Sequence, residues 1–248
     1  MIIYKSENEI ISMRQSGRIA ALILSRLQEA AKPGVTTEKL NGLAEKLMKE
    51  HKVKPAFKNY NGFPASVCTS VNEVVVHGVP DSTPLKDGDL LGLDFGVIYD
   101  GWYSDTAVTV GVGKISYDAR YLLRVCKKAL RLGMKKAIPG NTTGDIGNTI
   151  QRYVESEGCN VVRELVGHGI GKKLHEEPEV PNFGKRHAGI VLKEGMVIAI
   201  EPMIIAGPAD IHLQPDHFGY ASVHKHLSAH FEHTVAITKA SHEILTKA

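Results

Sequence analysis

The sequence predicts an α+β fold made of two pseudo-symmetric halves, each running helix, Pro-Gly turn, helix and then antiparallel strands. Three observations carry that expectation. AKPGVTTEKL at 31–40 recurs as AIPGNTTGDI at 137–146, an offset of 106. KDGDLLGLDFG at 86–96 recurs as KEGMVIAIEPM at 193–203, an offset of 107. A long helical pattern precedes each Pro-Gly. Nearly equal offsets at two separate places argue against chance recurrence of turn chemistry, and two copies fit a duplication better than a solenoid, which needs three or more units. The expected organisation is one domain over 1–248, with halves at about 1–112 and 113–248.

The first helix is expected over SENEIISMRQSGRIAALILSRLQEAAK, where Ser6 and Glu9 have the spacing of a capping box. After the first Pro-Gly, Thr36 and Thr37 can cap a second helix ending near Glu50. The second half repeats the plan with SYDARYLLRVCKKALRLGMKKA, then Thr142 and Thr143 capping a helix that ends near Gly158. LLGLDFGVIYDGWYSDTAVTV at 90–110 reads as a β-hairpin, and Asp100-Gly101 suits a two-residue type I′ turn with Tyr99 or Trp102 packed beside it. A turn centred there pairs Asp94 with Ala107 and sets Asp105 one diagonal step away. A turn centred one residue earlier makes the two acids direct partners. Either register puts both carboxylates on one face, because strand side chains alternate with period two.

Composition bounds the rest. With 248 residues, 43% of them hydrophobic and 23% charged, the chain resembles an ordinary globular protein with a large core. The formal net charge is +3, and no basic run carries interleaved aromatics, so no specific nucleic-acid site is expected. MIIYKSENEI lacks the layout of a signal peptide, and no apolar run reaches membrane length. Cys68, Cys126 and Cys159 form no CxxC pair, which suits a reduced cytoplasm.

The repeat duplicates the acids as well as the turns. Lys86 leads to Asp94 in eight residues, and Lys193 to Glu201 in eight. Asp105 follows in SDTAVTV, and Glu232 follows in FEHTVAIT after a connection longer by 20 residues. Pseudo-twofold packing would bring all four carboxylates to one centre. At ~5 Å and an effective dielectric of ~20, each pair repels by roughly 3 kcal/mol. Six pairs give on the order of 20 kcal/mol, more than the ~5–15 kcal/mol that holds a typical domain folded. Protonation relieves part of this; two divalent cations match the formal charge. His168, between glycines in ELVGHGIGKKLHEEP, is a fifth candidate ligand in a segment that cannot be a regular helix. Oxygen-rich ligation with one imidazole suits Mn, Fe(II), Co or Zn rather than a closed structural zinc site. Paired metals about 3.5–4 Å apart serve enzymes that activate water.

DFG-x8-DTA (94–107), GHGIG (167–171), LHEEP (174–178), EPM (201–203) and FEHT (231–234), in this order and spacing, resemble the type I methionine aminopeptidases. Matching stretches run from the first helix to Thr238. The resemblance implies the pita-bread (creatinase/aminopeptidase) fold, a curved antiparallel sheet backed by helices, and a single catalytic domain with a dinuclear metal centre. By position-to-position match, Asp94 would chelate one metal, His168 and Glu201 the other, and Asp105 and Glu232 would bridge them. His77, in NEVVVHGVP, would lie over the substrate, although read alone it is a satisfied strand-end histidine. His175 would donate to the scissile carbonyl or the neighbouring amide. Glu201 would double as the acid–base group, and a hydroxide bridging the metals would attack the first peptide bond. Asn72, Val74 and Ser228 match a monovalent-cation site. The implied activity is removal of the initiator methionine from nascent polypeptide N-termini when the second residue is small, by a cytoplasmic monomer. The ribosome near its exit tunnel is the macromolecular partner such an enzyme could meet.

Tyr60, Phe63 and Cys68 match the wall of the methionine pocket. By the same resemblance Leu174 and Phe218 would line it too, standing where relatives of the best-known bacterial form usually carry an aromatic residue and a tryptophan. His212, His217, His224, His226, His230 and His233 crowd the last connection and read as incidental histidines of a solvated loop. The residues weigh against three rivals. A prolidase-like hydrolase of X-Pro bonds usually carries an additional N-terminal domain, and a type II methionine aminopeptidase has a long insertion between EPM and FEHT; neither pattern is expected here. A binding module that kept the fold and lost the chemistry would lack ligands, and all five are present.

Overall fold

The computed structural model describes residues 1–247, and its four helices fall where capping and periodicity put them. Helix α1 spans Glu7–Ala30, α2 Thr37–Glu50, α3 Tyr117–Met134 and α4 Thr143–Ser156. The Ser6 backbone N–H donates to the Glu9 carboxylate at 2.8 Å, closing the first turn of α1. Thr36 Oγ1 accepts from the Lys39 N–H at 3.2 Å, and Thr142 Oγ1 from the Asp145 N–H at 3.2 Å, so the duplicated threonines cap the duplicated helices. Along α1 the buried residues Met13, Gly17, Ala20, Leu24 and Leu27 recur at three- and four-residue steps, forming one apolar stripe against the sheet. Leu27 is fully buried, and truncating it to alanine is expected to cost about 2–5 kcal/mol.

The strands form antiparallel ladders throughout. In the first half, Leu90–Tyr99 and Trp102–Gly111 make the hairpin, and Cys68–Val71 pairs along the other side of Leu90–Tyr99. Asp94 faces Ala107 and Asp105 faces Gly96, which fixes the turn on Asp100-Gly101. Both turn residues have positive φ, 49° and 74°, as a type I′ turn requires. In the second half, His242–Ile244, His233–Ile237, Val197–Ile200, Gly167–Gly169 and Glu176–Val180 form a five-stranded ladder in that order. GHGIG thus opens on a three-residue strand.

The duplication is visible in backbone contacts. Thr36 bridges to Pro84, and Thr142 bridges to Val191, tying each Pro-Gly turn to the segment before its acidic strand. The halves meet through the acids' own strands. Ala107 and Glu232 exchange backbone hydrogen bonds at 3.4 and 2.9 Å, and Thr234 Oγ1 donates to Asp105 O at 2.7 Å while the Asp105 N–H donates back to it at 3.1 Å. These bonds tie the sheets of the two halves across the join in the pita-bread arrangement, with the helices behind them. One apolar core lies under α1 and α2, another under α3 and α4. None of the described helices is long and apolar enough to cross a membrane.

The last connection departs from its reading as a solvated loop. Ile211–Leu213 and Tyr220–Ser222 pair with each other, and the latter also pairs with Val74–Val76 of the first half. His212, His217 and His224 are exposed as expected, but His230 is buried and His233 half-buried. Apolar neighbours explain this: Ala229 and Phe231 belong to the core, so the strand that carries them inward takes His230 with it.

Candidate active site and metal centre

All four acids and His168 converge on the floor of one cleft of ≈ 350 Å³. Asp94 and Asp105 reach it from one face of the hairpin. Glu201 and Glu232 reach it from a break in their own ladder. Pairing of Val197–Ile200 with His233–Ile237 stops at Ile200 and His233, and resumes as Met203 with His230. Pro202 has no N–H to donate, so the ladder breaks there, and both acids sit in the interruption.

His168 is set by its glycines. A Cβ at Gly167 would come within 2.4 Å of Ala199 O, and one at Gly169 within 2.1 Å of Glu177 O, so neither position tolerates a side chain without displacing backbone. His168 Nδ1 lies 2.8 Å from Gly169 O, which places the ring proton on Nδ1 and frees the Nε2 lone pair. Nε2 points into the carboxylates, 3.6 Å from Glu201 Oε1 and 3.9 Å from Asp105 Oδ2.

Electrostatics shows what the cluster asks for. Burial first, then repulsion from Asp105 and Glu201, pushes Asp94 well above the usual carboxylate range. Burial and the same neighbours do this to Glu232. Burial, then Glu201, raises Asp105 to about 7, and burial raises Glu201 to about 8. Burial lowers His168 to about 3, with His175 adding to it, so the imidazole is neutral at pH 7. Asp94 Oδ1, Asp105 Oδ1 and Glu232 Oε1 are buried with no hydrogen-bond partner. Unpaired buried acceptors of this kind are costly. Two sets of ligand atoms lie within 4.8 Å of one another: Asp105, His168 and Glu232, and Glu201, His230 and Glu232. Anionic oxygens without donors, beside a neutral imidazole whose free nitrogen faces them, fit divalent cations.

The other expected residues surround this floor. Tyr60, Phe63, Cys68, Leu174 and Phe218 all line the cleft, together with Phe57, Val76, Leu165 and Met203, which the sequence did not single out. Phe63 and Phe218 meet edge to face at 5.5 Å. Burial, then the charges of Asp94, Asp105 and Glu232, drives the Cys68 thiol well up, so it is a neutral wall. His77 follows Val74–Val76 with φ 58° and turns its ring into the cleft mouth, 6.2 Å from the Tyr220 ring. Positive φ is uncommon outside glycine and concentrates at working sites. His175 Nδ1 lies 2.6 Å from the Tyr60 hydroxyl, and its ring packs 4.3 Å from that of His168. Burial lowers its pKa and keeps it neutral. Its segment is pinned by a buried ion pair, Lys5 Nζ to Glu176 Oε2 at 2.7 Å. Removing one partner of such a pair would leave the other charge unpaired. Ser228 Oγ is 2.9 Å from both Asn72 O and Val74 O, so those three oxygens do converge.

His230 is the residue that sequence reasoning missed. Only 3% exposed, it stands 3.3 Å from Glu201 Oε2 through Nε2. The available signal was its period-two relation to Glu232, obscured by five other histidines nearby.

A duplicated curved sheet that gathers carboxylates and an imidazole under an open cleft defines a metallohydrolase of the pita-bread fold. Residues 11–239 match the model of metallopeptidase family M24, and the chain belongs to that family. It is 48% identical to a methionine aminopeptidase of Clostridium perfringens over 99% of both chains. The crystal structure of methionine aminopeptidase from Rickettsia prowazekii superposes with a TM-score of 0.98 at 43% identity, covering 100% of each chain. Prolidase from Pyrococcus furiosus is more distant, with a TM-score of 0.80 at 25% identity, and the match covers 99% of this chain but 66% of that one. Membership implies divalent metal ions and makes the protein an aminopeptidase-type hydrolase.

Proposed function

We propose that this protein removes the N-terminal methionine from polypeptides whose second residue is small, as one catalytic unit of two halves meeting near residue 112. The observation that carries the reading is the convergence of Asp94, Asp105, His168, Glu201 and Glu232 beneath an apolar, solvent-open cleft. Asp94 would hold one divalent cation, His168 and Glu201 a second, with Asp105 and Glu232 shared; Mn, Fe(II), Co and Zn all suit this donor set. When bound, the cations supply Lewis acidity and an activated water.

This chain's own residues do the rest. Tyr60, Phe63, Cys68, Leu174 and Phe218 bury the methionine side chain, which contributes roughly 1.5–3 kcal/mol. Glu201 takes a proton from water and returns it to the leaving amine. With the Tyr60 hydroxyl donating to His175 Nδ1, 2.6 Å away, the ring proton would sit on Nε2 and donate to the scissile carbonyl as charge develops there. His77, at the cleft mouth, lies over the same carbonyl and assists from the other side. The three oxygens of Asn72, Val74 and Ser228 would take a monovalent cation that fixes the start of the strand leading to His77. The physiological substrates would be nascent chains met as they leave the ribosome, by a cytoplasmic monomer.

Turnover of Met-Ala-Ser, Met-Leu-Ser and Ala-Pro peptides, after chelation and after titration with single metals, tests the reading. Metal-dependent cleavage of Met-Ala-Ser well above the other two is expected. Preference for Ala-Pro would instead favour X-Pro hydrolysis.

A further inference from the structure

Glu201 sits between two imidazoles, one for each carboxylate oxygen. Oε1 is 3.6 Å from His168 Nε2, and Oε2 is 3.3 Å from His230 Nε2. Among the described residues no N–H or O–H donates a hydrogen bond to this carboxylate, so these rings are the donors it could take up among its acidic neighbours. His230 is buried and its Nε2 makes no hydrogen bond, although Glu201 Oε2 lies 3.3 Å away and a turn of the ring would align the two. The strand fixes this proximity. His230 pairs with Met203, two residues beyond Glu201, and precedes Glu232 by two, so the break at Pro202 brings the ring against the Glu201 carboxylate.

We propose that His230 is a positioning residue for Glu201: its Nε2–H donates to Oε2, holding that oxygen so that Oε1 turns toward His168 and the shared cation. The inference rests on the reading of Glu201 as ligand and acid–base group. The alternative, that His230 is itself a ligand, fits less well. A ligating imidazole normally donates its other N–H to an acceptor, which sets the free lone pair. His168 does so through Nδ1 to Gly169 O at 2.8 Å. His230 Nδ1 makes no such bond among the described residues, so nothing frees a lone pair on its Nε2, which faces an oxygen. A carboxylate clamped at one oxygen binds a cation through the other. Left unclamped, it swings between monodentate and bidentate geometries and loses the direction in which it takes and returns a proton.

Three variants separate the readings. His230→Gln keeps an N–H at nearly the reach of Nε2, His230→Asn places it short, and His230→Leu removes it while filling the space. Each is stripped, titrated calorimetrically with Mn(II), and assayed for kcat and KM on Met-Ala-Ser. All three should bind as many metal equivalents as the wild type. His230→Leu and His230→Asn should lose about 10–100-fold in metal affinity or kcat, as is usual for outer partners of a ligand, with KM little changed. His230→Gln should recover to within a few-fold of wild type. Loss of one metal equivalent in every variant would make His230 a ligand and overturn the proposal. Wild-type affinity and kcat in His230→Leu would reduce His230 to a space filler. Should the wild type itself not cleave Met-Ala-Ser, the functional reading fails, while the titrations still decide what His230 does to Glu201.

Discussion

Stripping the divalent cations should make the protein lose stability steeply as pH rises from 6.5 to 8. Above pH 6.5 the carboxyls of an unfolded chain are ionised and its histidines neutral. In the folded, metal-free protein, burial holds the proton on Asp105 until about pH 7 and on Glu201 until about pH 8. The native state then binds more protons than the unfolded one, so stability falls as pH rises through this window. Each retained proton costs about 1.4 kcal/mol per pH unit, so Glu201 alone removes about 2 kcal/mol between pH 6.5 and 8. That corresponds to a drop in Tm of roughly 4–8 °C for a chain of this size. Below pH 6.5 the histidines oppose the acids. Burial, foremost, lowers His168 to about 3 and His230 and His233 to about 4, whereas unfolded histidines charge near 6.5. The two sets of protons nearly cancel there, so stability should change much less with pH below 6.5 than above it. Cations reverse the alkaline limb, because they require ionised carboxylates. Thermal melts of chelated protein at pH 5.5, 6.5, 7.25 and 8, with and without Mn(II), measure this. The gain from Mn(II) should be larger at pH 8 than at 6.5. A stripped protein whose Tm stays level or rises from 6.5 to 8 would refute the claim that these acids share a buried, mutually repelling site.

Asp105→Ala and Glu232→Ala should each abolish activity and reduce the bound metal by more than one equivalent, because each acid is shared between the cations; full activity in either variant would end the bridging assignment. His77→Ala and His175→Ala should retain wild-type metal content while kcat falls by about 10²–10⁴; loss of metal along with activity would make them ligands. Phe218→Trp should sharpen the preference for methionine over norleucine and leucine, since the wider ring adds dispersion contacts beside Phe63 and an apolar wall separates such neighbours by only ~1–3 kcal/mol. Comparing kcat/KM for Met-, norleucyl- and Leu-Ala-Ser decides this, and an unchanged ratio would remove Phe218 from the specificity wall.

How much of this was legible in the sequence depended on locality. Caps at Ser6, Thr36 and Thr142, and the type I′ turn at Asp100-Gly101, depend on residues a few positions apart, so residue type sufficed. Two hairpin registers stayed open, and the common face of Asp94 and Asp105 held in both. The placement of Glu201 and Glu232 was less readable. Pro202 marks a ladder break, but its position opposite Phe231 depends on pairing across a long connection. The pairing of Ile211–Leu213 and Tyr220–Ser222 with Val74–Val76 is likewise non-local, and short half-exposed strands leave little periodicity. His230 was lost for the same reason: its burial is decided by Ala229 and Phe231 entering a core contributed by α3, α4 and the other strands of its half.

The reciprocal bonds between Ala107 and Glu232, and between Asp105 and Thr234, have a consequence for how the gene can change. The same strands that carry the carboxylates also stitch the halves together, so catalytic geometry and tertiary cohesion share one register. Adding a single codon between Asp94 and Asp105 would turn one acid to the opposite face and break the stitching at the same stroke. Phe218 and the strand Tyr220–Ser222 hold the pocket wall and a pairing with the first half, but lengthening the stretch between Ile205 and Ile211 touches neither. Insertions, tags and new binding surfaces can therefore accumulate in that stretch, while the hairpin is confined to substitutions.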